Sequence, residues 1–360
     1  MQDVFRKWFH DIFADEESLI LLIIVFAGLA IVVTMGGILA PFIASLIFAF
    51  LLQGLVSTLQ RWGLPRWLAL ALTYLCFVGS FLVLLVFVLP LAWKQLVTLF
   101  TELPRMIEAA KQGLVLVQQR YPEVVSEALL AEWTAEATSE LTRVGQWMLS
   151  VSVSQLPNVF GVLIYLVLVP ILVFFLLKDK DAIFAWFAAF LPSRRPLMYK
   201  VWREMDQQVA NYARGKAIEI LLVWVASYLA FVIMGLKYAA LLGLLVGVSV
   251  LIPYIGAAVV TLPVALVGYF QWGWTEDFFW LCAVYGIIQF LDGNLLVPLL
   301  FSETVKIHPI AIILAVLVFG GLWGLWGVFF AIPLATLIKA LIQSWPRRGA
   351  QTVDVEANAQ

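Results

Sequence analysis

The chain has 360 residues, 63% of them hydrophobic and only 12% charged, with a mean hydropathy of +1.00, which is more apolar surface than one soluble core can cover. A net charge of −1 offers no basic face to nucleic acid. Cys76 and Cys282 sit inside apolar runs, where packing is their simplest role, and with His10 and His308 they define neither a disulfide framework nor a metal cluster. A soluble enzyme is excluded, and an all-α polytopic membrane protein fits.

In residues 1–18, Val4, Phe5, Trp8, Phe9, Ile12 and Phe13 share one helical face with charges opposite, which predicts an interfacial amphipathic helix. Arg6 and Lys7 are outnumbered by Asp3, Asp11, Asp15, Glu16 and Glu17, a poor signal peptide, so the first apolar segment is expected to remain in the protein. The N-terminal transmembrane spans occupy 19–90, in apolar runs at 19–35, 37–59 and 67–90; one crossing needs ~20 apolar residues. Over 91–156 the pattern changes. Leu96, Leu99, Phe100, Leu103, Met106 and Ile107, then Val125, Leu129, Trp133, Leu141, Val144 and Trp147, recur at helical spacing, and seven Glu face five Lys/Arg. This predicts a small amphipathic helical domain outside the hydrocarbon. The transmembrane transport core follows over 157–343, with apolar runs at 157–177, 217–236, 239–270, 278–300 and 309–343 and a basic polar segment at 178–216. Residues 344–360 read as a disordered tail.

Six runs are long enough for one span each. Runs 239–270 and 309–343 are too long for one and short for two, and each is broken, at Pro253–Gly256 and at Gly320–Gly324. They are either re-entrant hairpins or pairs of short crossings. Orientation follows the basic residues: with both termini cytoplasmic, fourteen of the twenty-two Lys/Arg lie inside and the 91–156 domain lies outside. The expected location is the inner membrane, multi-pass.

Gln289, Asp292 and Asn294 form a polar cluster in an otherwise apolar run that ends at Pro298. An Asp at mid-membrane costs ~3 kcal/mol on insertion scales, so it should face protein or water. These residues form either a binding niche or a satisfied helix break. Pro253, Tyr254 and Gly256 offer a second candidate, either a site-forming tip with free carbonyls or a plain turn. Gly243 with Gly247, and Gly320 with Gly324, have the spacing of close helix contacts. Lys216 with Glu219, and Glu303 with Lys306, are simplest as local ion pairs near the headgroups, Lys178–Asp181 as a solvated stop signal, and Arg194 and Arg195 as contacts to anionic lipid. No Walker loop, G-x-S-x-G or H-E-x-x-H motif occurs, and no nucleophile–base pair lies in the apolar runs, so neither ATP-driven transport nor an enzyme is expected.

Four ordered motifs carry a resemblance: Phe174-Phe175-Leu176-Leu177-Lys178-Asp179; Asn211-Tyr212-Ala213-Arg214-Gly215-Lys216; Ile252-Pro253-Tyr254-Ile255-Gly256-Ala257; and Gln289, Asp292-Gly293-Asn294, Pro298, His308-Pro309, Gly320-Gly321, Gly324, Gly327 and Pro333. Over 157–342 the chain resembles the autoinducer-2 exporter family, in its PerM-type permease branch. The resemblance implies a secondary transporter or exporter without a cofactor, with cation/proton antiporters among its relatives, and a homo-oligomer, with a pentamer as the candidate assembly.

The reading is therefore an exporter of a small polar metabolite or signalling molecule, autoinducer-2-like. Asp292, Asn294, Gln289 and Tyr254 would bind hydroxyl groups, Pro253, Gly256 and Pro298 would shape the backbone, and Asp292 would take the coupling ion, a proton. Two alternatives stand beside it: a Na+/H+ antiporter using Asp292, and a membrane scaffold whose 91–156 domain binds a partner outside.

Overall fold

The computed structural model describes residues 16–120, 159–192, 196–253, 255–301 and 308–344, with isolated positions between 132 and 143. The expected interfacial helix, most of the 91–156 domain past Arg120, Arg194 and Arg195, Tyr254, the Glu303–Lys306 pair and the tail from 345 lie outside the described residues.

Every described element is a helix. Helix α1, Glu16–Arg61, is helical through both of the first two apolar runs, 46 residues in all. Both of its ends meet the polar segment after α4 (Val159–Lys178). Glu17 Oε1 accepts the Met198 amide at 2.7 Å, and Arg66, just past the other end, pairs with Asp181 at 3.0 Å.

Helix α2, Arg66–Val83, runs through a π-helical segment at Leu84–Val88 into α3, Leu89–Arg120. The change of character anticipated at residue 91 is thus not a break in the chain's path. Ala92, Leu96 and Leu99 pack into the main core, and only farther along does α3 leave it. The second half of α1 runs parallel to α4, with Ser45 Oγ donating to Val169 O at 3.4 Å. α2 runs antiparallel to both, packing Phe77 and Phe81 against Phe48 and Tyr74 against Phe174 in tilted and edge-on ring contacts. Arg61, Arg66 and the segment after Lys178 therefore share one face of the molecule.

The short helix α5, Lys180–Ala188, precedes α6, Pro196–Ile233, whose 38 residues exceed a bilayer core. Two helical hairpins pack around α6. The first is α7, Ala239–Ser249, and α8, Ile255–Trp272. α7 rises only ~16 Å in 11 residues, about half the hydrocarbon thickness, so the chain turns at depth. Gly243 and Gly247 let α7 lie against the backbone of α6 at Tyr228 and Trp224, as their spacing suggests. The outer end is clasped by side chains. Gln95 Oε1 accepts the Leu241 amide (2.8 Å), and Gln271 accepts from Lys237 N (2.7 Å) and donates to Gly235 O (2.8 Å). These bonds satisfy backbone groups that helix ends leave free.

The second hairpin lies within α11, Pro309–Ser344, which reverses at Gly324 (φ 59°, ψ −138°). Its first arm, from Pro309 to Gly324, is shorter than a full span. Ala315 and Val316 meet Ala331, and Gly320 faces Val328. The glycine pair expected to bring helices together thus divides its work. Gly320 packs, whereas Gly324 has open space around it and supplies a backbone conformation closed to other residues. Gly324→Ala should cost ~1–3 kcal/mol, whereas Gly321→Ala, also in open space but without positive φ, should leave the melting temperature in detergent unchanged or slightly higher. Equal melting of the two variants would contradict this assignment.

The hairpins enter from opposite ends. The base of the second, Leu337 and Leu341, packs with Leu21, Met198 and Val201, beside the polar segment. The first starts from the far end of α6, and its tip residue Ile252 packs onto Ala315, Val316 and Ala331 of the second. Cys76 and Cys282 lie on exposed helix faces rather than in a core.

Candidate functional site

One buried stripe of α6 organises the centre of the molecule. Tyr212, Lys216, Glu219, Val223, Ser227 and Phe231 recur every three or four residues and are all buried. The partner is α9 (Glu276–Leu291), continued by a π-helical segment at Asp292–Leu296 and by α10 (Val297–Phe301). The two pack antiparallel. Phe231 meets the Tyr285 ring (6.3 Å) at one end, and Tyr212 meets the Phe301 ring (5.8 Å) at the other. Gly215 lets Phe301 close against α6.

Between these aromatic contacts lies a charged trio. Lys216 Nζ is 2.8 Å from Glu219 Oε2, with the side chains 5% and 2% exposed, and sits 5.4 Å over the Phe301 ring. Asp292 is 8% exposed, on the π-segment that contacts α6, within the field of both Lys216 and Glu219. Its Oδ1 is buried and has no hydrogen-bond partner. Two carboxylates thus face one ammonium; with both ionised, one negative charge is in excess in a setting where unpaired charge is costly. Lys216 and Glu219 are not the headgroup pair that their place at the start of an apolar run suggests. α6 begins far enough upstream, at Pro196, to carry them into the core.

The π-segment has a local cause. Pro298 lacks the amide that would continue the α-helical ladder, and the helix widens in the turn before it. The same arrangement precedes Pro90, with a π-segment at Leu84–Val88. Pro298 itself is exposed and shapes the backbone from outside.

The other anticipated residues are dispersed. Gln289 donates to Tyr285 OH at 2.7 Å, and that hydroxyl lies 3.2 Å from Thr261 Oγ1, forming a polar chain between α8 and α9. Asn294 is exposed and bonds its own helix at Phe290 O (3.0 Å), on a different face from Asp292. At the hairpin tip, the carbonyls of Ser249, Ile252 and Pro253 all accept amide bonds. Gly256 is buried there, and a Cβ on it would run into the Ser249 carbonyl. Gly256→Ala should therefore wedge α8 from α7, costing ~1–3 kcal/mol and displacing the tip from α11. Unchanged melting together with unchanged flux would show that the hairpin relaxes around the methyl. Lys216, Glu219, Tyr212 and Phe301 were not anticipated as site residues. The available signal was the three-residue spacing of Lys216 and Glu219 and the motif ending at Lys216. The apolar clefts beside α5, of about 250 and 580 Å³, lie elsewhere and include none of the trio.

The family model for AI-2E family transporters matches residues 19–347. The chain is 44% identical to the putative permease PerM of Escherichia coli (strain K12) over 347 residues, 96% of this chain and 98% of that protein. It is 29% identical to the putative transport protein YueF of Bacillus subtilis (strain 168), covering 83% and 84% of the two chains. It is 25% identical to the AI-2 transport protein TqsA of E. coli (strain K12), covering 92% and 94%. With the match extending from the start of α1 past the end of α11, the chain belongs to the AI-2E transporter family.

Proposed function

We propose that this chain is a secondary transporter that exports a small polar solute across the inner membrane and couples its movement to a proton taken up by Asp292. The observation that carries the reading is the buried, unpartnered Oδ1 of Asp292 on a π-helical break beside a charged α6 stripe. Irregular backbone and an ionisable group at membrane depth mark transport sites, because both are costly unless they face protein or a wet cavity. Two hairpins opposed in direction supply the kind of framework in which such sites form. The solute class is autoinducer-2-like, a small hydroxyl-bearing signal, the cargo named for TqsA. Gln289, Tyr285 and Thr261 offer it neutral donors and acceptors between α8 and α9, and the sequence adds Tyr254 and Asn294 as further polar groups the solute would meet. Pro253 and Gly256 hold the tip, and Pro298 the π-break. The working form is a homo-oligomer, with a pentamer as the candidate.

The test is flux in proteoliposomes with imposed proton or sodium gradients. Solute movement that responds to the proton gradient supports the reading; sodium–proton exchange indifferent to any solute selects the antiporter instead.

Both termini and the Arg66–Asp181 face are taken as cytoplasmic, supported by the excess of basic residues in the segments on that side. Cysteines introduced at Asp181 and Lys237 should react with impermeant reagents from opposite sides of the membrane, Lys237→Cys from outside. Labelling of both from one side would overturn the topology.

A further inference from the structure

We propose that Lys216 is a tethered cation shared by Glu219 and Asp292, and that the mobile cation of the cycle occupies Asp292 only while Lys216 stays on Glu219. This inference rests on the reading of Asp292 as the loading group and adds the element that sets its charge. The ammonium has three donors on a flexible four-carbon stem, so it can bond one carboxylate or reach toward a second without moving the backbone. In the structure it sits on Glu219 at 2.8 Å, and Asp292 Oδ1 is bare, which is the receptive arrangement. The Phe301 ring, 5.4 Å from the ammonium, is a neutral neighbour that offers it no competing anion.

The charge count defines what the site accepts. With one negative charge in excess, a single small monovalent cation brings the trio to neutrality. A proton would bond to Asp292 Oδ1; a sodium ion would take that oxygen with solute or backbone oxygens. A divalent cation would overshoot. When the mobile cation leaves, Lys216 swings from the arrangement seen here toward Asp292 and is shared between the two carboxylates, so the returning empty carrier does not carry a fully unpaired buried carboxylate. This lowers the electrostatic cost of the empty state, which a coupled carrier needs in order to return unloaded.

The experiment compares wild type, Glu219→Gln, Lys216→Met/Glu219→Gln and Asp292→Asn at equal reconstituted amounts, reading gradient-driven accumulation beside counterflow, in separate proton and sodium arms. In Glu219→Gln, Lys216 has only Asp292 left to neutralise. Accumulation should fall about tenfold or more, ~1.4 kcal/mol, while counterflow continues. Removing Lys216 as well restores one negative charge in excess, and accumulation should return. Glu219→Gln accumulating like wild type, or the double variant no better than Glu219→Gln, would overturn the proposal. Should Glu219→Gln fail to insert, the double variant decides alone: coupled accumulation supports the tethered cation, and its loss with counterflow intact refutes it. Asp292→Asn separates the levels. If that variant accumulates like wild type, the loading group itself is misassigned; if it fails while Glu219→Gln does not, only the role of Lys216 falls.

Discussion

Asp292→Asn should insert and fold normally yet lose gradient-driven accumulation of solute. The amide matches the carboxylate in size and keeps hydrogen-bonding capacity, but it neither carries charge nor binds a proton. An exporter driven by inward proton movement enriches solute on the acidic side. One proton per solute gives about tenfold enrichment per pH unit, equivalent to ~1.4 kcal/mol. The variant should give none, while counterflow persists because the neutral groups on α8 and α9 are untouched. The structure makes the variant mild for folding. Asp292 Oδ1 has no partner to lose, and the trio becomes a neutral amide beside an intact Lys216–Glu219 pair. Wild-type accumulation together with wild-type counterflow would make Asp292 a helix-break residue and end the coupling mechanism. Loss of both, with the protein intact, would place Asp292 in solute binding instead.

The helical class, the two broken runs and the depth of Asp292 were legible because each depends on local composition. Apolar runs of span length admit few solutions in lipid, and Pro253, Gly324 and Pro298 interrupt helices by covalent geometry. The meeting of Lys216 with Asp292 was not legible. It depends on the antiparallel register of α6 and α9, fixed by Phe231 against Tyr285 and by Phe301 against Gly215, across more than seventy residues of intervening chain. Asn294 shows the same limit from the other side. Two residues from Asp292 on a helix, it points to a different face, so proximity in sequence made it a companion that packing does not. The line at residue 91 was drawn from composition, yet α2 and α3 follow one another through the π-segment and α3 still packs on α7 there, because a helix crosses a change of solvent without needing to end.

Lys216→Met should be the most destabilising single change in the described core. The pair with Glu219 is nearly closed to solvent, and removing one partner of such a pair costs ~3–5 kcal/mol, most of it the penalty of leaving the other charge unpaired. Here the penalty is compounded, since Asp292 also lies in the field of Lys216 and loses the same neighbour. Methionine conserves most of the stem's volume and its contact with Phe301, so lost packing contributes little. Adding Glu219→Gln removes one of the two stranded carboxylates, and the double variant should recover much of the loss, a coupling energy of ~1–3 kcal/mol in the double-mutant cycle. Thermal melting of the purified protein at constant detergent and lipid measures all four corners. If the two single losses simply add, the 2.8 Å contact contributes no pairwise energy. Stability would then come from the aromatic contacts at either end of the stripe, and the charges would be kept for transport alone.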